Sequence, residues 1–444
     1  MSDLPPTLSP ASKPSQLVVF LVVFIDLLGF GILIPVLPRY GNYFAASDFL
    51  LIVLMCSFSA MQFLFSRLWG RLSDRIGRRP VLLVGLLGST LCYALFGYAI
   101  SLGNKGVLLG LNAYWWMLIA RTGAGITGAT IATAQAYIAD CTGAASRGKG
   151  MALIGAAFGL GFTFGPLVAA TFSSADLHAA PNPMVGYAAA ILSGGAFLVA
   201  CFTLKESLSE ASHSAPRRFF DLRAWAACWR NPVRFNAIVG IFLTTFAFAQ
   251  FETTLARVTE YMGMAERGNF LVFAYLGFTL MICQGLIVRR LIPRVGERRM
   301  ALAGGVLLVL GLGLVGWVGH YYIGPIAAHS TRAEAATMAD AGQSMLSNPG
   351  VMMLFAVLPL TIMGFSAVNP SLQSILSLAT DDSDQGEVLG VAQGLSALAR
   401  IFGPAVGLAL CQPEHVYWPH ISAASVMVLT LVLLFRMPKT TVKA

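Results

Sequence analysis

Leu17–Pro38 reads LVVFLVVFIDLLGFGILIPVLP, apolar throughout except for one carboxylate, Asp26. A helix of roughly 20 apolar residues spans a hydrocarbon core of about 30 Å, so this run is long enough to cross a bilayer. An acid placed there costs about 3 kcal/mol on insertion scales, and such charges face a cavity, a relay or a partner charge. The run is too long for the apolar region of a signal peptide and lacks a small-x-small cleavage site, which makes it a retained span.

The rest of the chain repeats the pattern. Of 444 residues, 57% are hydrophobic and 11% charged, whereas soluble domains carry about 25% charge. Mean hydropathy is +0.73. Twelve apolar runs follow one another, at about 17–38, 49–69, 81–101, 113–137, 150–173, 185–204, 235–256, 270–290, 300–322, 351–378, 387–411 and 418–436. Barrel strands are about ten residues long and alternate; these runs are continuous and longer, and predict an all-α polytopic membrane protein. An even number of crossings returns both termini to one side. That side holds 22 of the Lys and Arg residues and the other holds 5, with Arg121 and Arg400 inside spans. The positive-inside rule makes the richer side the cytoplasm. The net charge of +9 thus follows membrane topology and argues against a nucleic-acid partner. The seven Cys show no CxxC spacing and read as small hydrophobes.

A Pro/Ser-rich, disordered N-terminus is expected over 1–16, a six-helix half over 17–204, a basic cytoplasmic linker over 205–234, a second six-helix half over 235–436 and a tail over 437–444. The halves resemble each other internally. RGKGMALIGAAFGLGFTFGP (147–166) and QGEVLGVAQGLSALARIFGP (385–404) align at an offset of 238, and SDRIGRR (73–79) aligns with IPRVGER (292–298) at 219. The extra residues fall in the loop at about 323–350, where TRAEAATMADAGQSML reads as a short surface helix. Two parallel repeats of six helices place a transport site between the halves near the midplane.

Four motifs then carry a family resemblance. GRLSDRIGRRPVL (70–82) lies after the second span, in the expected cytoplasmic loop; DLLGFGILIPVLP (26–38) lies on the first helix, RTGAGITGA (121–129) on the fourth and GFTFGPLVAA (161–170) on the fifth. Together they resemble the twelve-helix drug:proton antiporters of the major facilitator superfamily, tetracycline exporters in particular. Two features depart from that pattern. Ala169-Ala170 replace a closing Gly pair, and the ninth span lacks the acidic residue that tetracycline exporters carry there. The resemblance implies the major facilitator fold, antiport associated with the fifth-helix motif, and a gating role for the loop motif.

Candidate residues follow from these motifs and from polar groups inside spans. Asp26 and Arg121 are read as the proton-coupling pair, with a structural ion pair as the plainer alternative. Gln135, Gln250, Glu252 and Gln373 are read as cavity residues. Interhelical hydrogen bonding is the alternative for the glutamines, and pairing with Arg257 the alternative for Glu252. Gly70, Asp74, Arg75, Gly77, Arg78 and Arg79 are assigned to gating. Gly77 allows a sharp turn, and Asp74 is expected to face the N-terminus of span eleven. Gly161, Gly165 and Pro166 read as a smooth, bendable face against the opposite half. Arg400 is either a packing or a gating charge. Asp381, Asp382 and Asp384, in an acidic stretch of an otherwise basic side, are read as partners of the Arg71–Arg79 loop.

No catalytic pattern is present: the six His form no HExxH, and neither a Walker A loop nor G-x-S-x-G occurs. The expectation is a monomeric, proton-coupled exporter of small amphiphilic drugs or metabolites in a bacterial inner membrane, conferring antibiotic resistance. It would need no cofactor beyond the proton gradient. A facilitator or symporter of a small metabolite, or a receptor-like protein without transport, are the alternatives.

Overall fold

The computed structural model describes residues 13–141, 147–174, 176, 179–208, 231–322, 348–380 and 385–437. Asp381, Asp382 and Asp384, the expected surface helix, most of the N-terminal segment, most of the linker and residues 438–444 of the tail lie outside the described residues. Ten helices, several of them composite, are long and apolar enough to cross a membrane. The two remaining crossings are a helix in two pieces and one whose shorter apolar part is Gly159–Phe172.

The first crossing is α1 (Lys13–Leu33) and α2 (Leu37–Tyr43), joined by a 3₁₀ turn at Ile34–Val36. The turn sits at Pro35, which has no N–H to continue the α-helical ladder. Helix α3 (Asp48–Ile76) starts where Ser47 Oγ accepts from Leu50 N at 3.3 Å, a side-chain cap for an otherwise unpaired donor. It runs through Gly70–Ile76, so the basic motif expected in a loop is largely helical and the turn is reduced to Gly77. There φ is +105°, a conformation that suits only glycine without strain. Helix α4 (Arg78–Ser101) follows at once, then a two-residue hairpin, β1 (Val107–Leu108) and β2 (Leu111–Asn112).

The fourth crossing departs from the continuous helix expected over 113–137. It breaks between α5 (Ala113–Thr127) and α6 (Ile131–Asp140). Gly123, Gly125, Gly128 and the β-branched Ile126, Thr127, Thr130 and Ile131 give this stretch weak helix propensity, and side chains take up the exposed carbonyls. Trp69 Nε1 donates to Ile126 O at 2.6 Å, Gln62 Nε2 to Gly128 O at 3.4 Å and Thr127 Oγ1 to Gly123 O at 3.0 Å. Broken helices are tolerated at membrane depth only with such compensation.

Helices α7 (Arg147–Phe172) and α8 (Met184–Thr203) complete the first half. The second comprises α9 (Pro232–Tyr261), α10 (Glu266–Ile282), a π-helical segment at Cys283–Val288, α11 (Arg289–Val295), α12 (Glu297–Tyr322), α13 (Pro349–Leu378), α14 (Gln385–Leu410) and α15 (Trp418–Arg436). The pairings repeat: α1 packs on α7 and α8 as α9 packs on α14 and α15, and α4 packs on α5 and α8 as α12 packs on α13 and α15. Gly296, with φ +88°, makes the turn of the second half that Gly77 makes in the first.

Between halves, α3 packs on α14 and α7 on α10. Gly161 and Gly165 do not face the opposite half as expected. A Cβ on either would meet Leu27, Leu28 or Gly31 of α1, in the same half. The close approach across halves is made instead by Gly277 of α10, whose added Cβ would run into the Phe162 carbonyl of α7. Pro166 sits inside α7 without interrupting it.

Candidate functional site

Asp26 occupies the middle of α1 and keeps partial accessibility. Ser89 Oγ on α4 donates to its Oδ1 at 3.1 Å, and Tyr93 Oη approaches its backbone carbonyl at 3.5 Å. Gly29 makes room for that tyrosine: a Cβ there would lie 2.5 Å from Tyr93 Cε2. The break in the fourth crossing lies alongside, since a Cβ on Gly128 would be 3.6 Å from Asp26 Oδ2.

Arg121 of α5 is 2% exposed. Its guanidinium carbon stands 4.8 Å from the ring centre of Phe58 and 5.8 Å from that of Phe30, a cation–π arrangement. Its Nε and Nη1 have no hydrogen-bond partner among the described residues. Asp26 and Arg121 therefore share a neighbourhood without forming the structural ion pair considered above. Tyr93 lies within electrostatic reach of both.

Glu252 and Arg400 form a second charged couple, on α9 and α14. Each is the charge that the other faces, and both are partly accessible. Glu252 Oε1 is buried without a hydrogen-bond partner. The pairing of Glu252 with Arg257 does not occur. Arg257 is 3% exposed, donating to Asp48 Oδ1 of the other half at 3.0 Å and to Cys411 O of its own half at 3.0 Å. Residues 252 and 257 are five apart on α9, about 1.4 turns, so their side chains point in different directions around it.

The glutamines divide. Gln250 is fully buried and donates to Pro419 O at 3.0 Å, an interhelical bond that removes it from the expected cavity. Gln373 is exposed and donates to Asn369 Oδ1 at 2.8 Å, one turn back on α13. Gln135 keeps partial accessibility on α6.

The loop motif builds a brace within the first half. Arg78 pairs with Asp74, donates to Ser73 Oγ at 2.6 Å and reaches Asp140 Oδ2 at 3.3 Å. The Glu206 carboxylate accepts from Arg78 N at 2.8 Å and Arg79 N at 3.1 Å, beside the Gly77 turn. Arg79 Nη2 donates to Cys201 O at 2.8 Å. Asp74 thus meets Arg78 rather than span eleven in this conformation, Arg75 is exposed, and Gly70 has open space beside it. Glu206 and Asp140 had no motif to flag them.

A further set of functional residues, unmarked in the sequence, lies at the opposite end of the bundle, away from 204–208. There Tyr40 Oη donates to Glu266 Oε1 at 2.7 Å, Asn269 Nδ2 to Pro35 O at 2.7 Å, and Arg267 N to Ser174 O at 3.2 Å. With Arg257–Asp48, these bonds tie the two halves together. Their partners lie about 200 residues or more apart in most cases, and nothing local in the sequence marks them.

Three comparisons bear on this arrangement. The chain matches the Major Facilitator Superfamily over residues 19–331. It is 31% identical over 422 residues to the tetracycline resistance protein, class C, of Escherichia coli, covering 92% of each chain. Its fold is similar to that of the human organic anion transporter MFSD10, with a TM-score of 0.67 at 24% identity, covering 96% of this chain and 100% of that one. It is also similar to a D-xylose-proton symporter, with a TM-score of 0.72 at 18% identity, covering 98% and 100%.

Proposed function

Because the chain belongs to the Major Facilitator Superfamily, we propose that it is a proton-coupled exporter of small amphiphilic compounds, working by alternating access. It is an integral membrane transporter rather than an enzyme. The observation that carries the reading is Asp26: a partly accessible carboxylate inside a span, held by Ser89, in the neighbourhood of Arg121, whose guanidinium rests on Phe58 and Phe30 with its Nε and Nη1 lacking a hydrogen-bond partner among the described residues. The similarity to tetracycline resistance proteins supports export.

The hold of a carboxylate on its proton depends on water access and on the approach of a cation. In this reading Asp26 takes a proton while one side is open and gives it up after the halves rock, with Arg121 supplying the charge that favours release. The bonds between the halves gather at the end away from 204–208. The 22-to-5 distribution of Lys and Arg supports a cytoplasmic side for residues 204–208, and with them for both termini. The conformation described is then closed outside, and in the opposite one Asp381, Asp382 and Asp384 meet the Arg71–Arg79 segment. A bacterial inner membrane and a monomer complete the proposal, with no cofactor beyond the proton gradient.

The test is transport into inverted vesicles over a compound panel, with and without a pH gradient. Gradient-driven accumulation is expected in the wild type and not in Asp26→Asn, while Asp26→Asn still binds substrate. Unchanged gradient-driven accumulation by Asp26→Asn overturns the assignment, and proton flow in the same direction as substrate identifies a symporter instead.

A further inference from the structure

The two halves carry their intramembrane charges at different depths. A Cβ on Gly165 of α7 would meet the Leu28 carbonyl oxygen and the Ile32 amide of α1. A Cβ on Gly403 of α14 would meet the Phe246 carbonyl oxygen and the Gln250 amide of α9. The repeat therefore equates Leu28 with Phe246 and Ile32 with Gln250, an offset of 218. By that offset Thr244 stands where Asp26 stands in the first half, and Glu252 stands where the first half has Ile34. Glu252 lies two turns beyond Thr244, roughly 12 Å along the helix at 1.5 Å per residue. Arg400 likewise takes the place of Phe162 at the offset of 238. The Glu252–Arg400 couple is therefore not the second copy of the Asp26–Arg121 neighbourhood.

Its geometry is that of an unfilled pair. Gly403 of α14 packs on Phe246, Ala249 and Gln250 of α9, which brings Arg400 and Glu252 within electrostatic reach of each other; among the described residues they form no salt bridge, and no hydrogen bond reaches Glu252 Oε1. One turn from Glu252 on the same face of α9, Phe248 stacks on Phe365 of α13 with ring centres 3.7 Å apart. One turn from Arg400, α14 carries Ser396. A carboxylate and a guanidinium left apart inside a span forgo a mutual attraction that water screens less there than in solution.

We propose that Glu252 and Arg400 form a binding site for a zwitterionic amphiphile, whose ammonium meets Glu252 and whose carboxylate meets the guanidinium fork of Arg400. The proposal rests on the transport reading and specifies the substrate class of that site. A zwitterion supplies a charge-assisted partner to each residue and brings no net charge into the membrane. A simple cation is repelled by Arg400 and a simple anion by Glu252, so the couple selects against both. The Phe248–Phe365 stack gives the apolar body of the ligand an aromatic wall. Asp26, at the level of Thr244, stays free to carry the proton.

The experiment measures binding to the purified full-length protein by titration calorimetry with three probes on one ring system. Norfloxacin carries both charges, its methyl ester only the ammonium, and its N-acetyl derivative only the carboxylate. The wild type is expected to bind norfloxacin at least tenfold more tightly than either derivative. Glu252→Gln is expected to reduce norfloxacin to the level of the N-acetyl compound without weakening that compound. Arg400→Gln is expected to reduce norfloxacin to the level of the ester. Glu252→Asp, which keeps the charge, is expected to retain the preference and controls for folding. Equal binding of the three probes, no binding of norfloxacin, or an equal loss for all three in both variants overturns the site. Proton-driven transport is read separately with Asp26→Asn. Loss of coupling with the charge preference intact defeats the antiport reading alone, and intact coupling without the preference defeats this site alone.

Discussion

Arg257 Nη2 lies 3.0 Å from Asp48 Oδ1, joining the end of α9 to the start of α3 across the two halves. The guanidinium is buried, its side chain 4% exposed, while the carboxylate is 61% exposed. Exposed pairs contribute about 0–1 kcal/mol, so Asp48→Asn is expected to shift the balance between closed and open forms by no more than a few-fold. Arg257→Ala removes the donor altogether, whereas Asp48→Asn leaves an amide oxygen that still accepts a hydrogen bond, and is expected to shift it further. Distances between spin labels at Phe49 and Trp418, both exposed, read the change; a longer-distance population should grow in the order wild type, Asp48→Asn, Arg257→Ala.

Tyr40 and Glu266 make a bond of a different kind, because Tyr40 is fully buried and Glu266 is 2% exposed. Tyr40→Phe leaves the carboxylate oxygen without its donor, which costs about 1–3 kcal/mol for a buried group. Thermal unfolding in detergent should fall for Tyr40→Phe, and fall less than additively when Glu266→Gln is combined with it. Additive losses would show that the two do not act as a pair.

The Gly77 turn makes a third prediction. With φ at +105°, and Glu206 packed where a Cβ would project, Gly77→Ala is expected to destabilise the first half by about 1–3 kcal/mol. Glu206→Gln, which keeps the shape but weakens two bonds to backbone amides, is expected to cost less. Thermal midpoints of the two variants check the order.

Sidedness is tested directly. Single cysteines at Lys205 and Lys105, both exposed, should fall on opposite faces. A membrane-impermeant maleimide added to intact cells is expected to label position 105 and not 205. Labelling of 205 alone would invert the topology.

Arg121→Lys is expected to lose proton coupling nearly as fully as Arg121→Ala. An ammonium lacks the flat face that stacks over Phe58 and Phe30. Gradient-driven transport with unchanged substrate binding is the readout; normal coupling in the lysine variant would show that charge alone suffices there.

What the chain determined by itself follows from the solvent it is built for. A bilayer leaves no water to satisfy backbone groups, so long apolar runs can only be helices, and their lengths, the loop charges and the two repeat offsets are readable residue by residue. The Gly77 turn and the charged positions 26, 121, 252 and 400 were legible for the same reason: each is an exception to a strong local rule. The partners of those exceptions were not. Arg257 stands five residues from Glu252 in sequence but turns to Asp48 in the other half, Gln250 turns to the Pro419 carbonyl, and Arg121 rests on two phenylalanines beside Asp26. The break at 128–130 depends on Trp69 and Gln62 from another helix. These choices are made by how the helices rotate and cross when two halves pack. That rotation sums many weak contacts over the whole bundle, and no local window of sequence contains them.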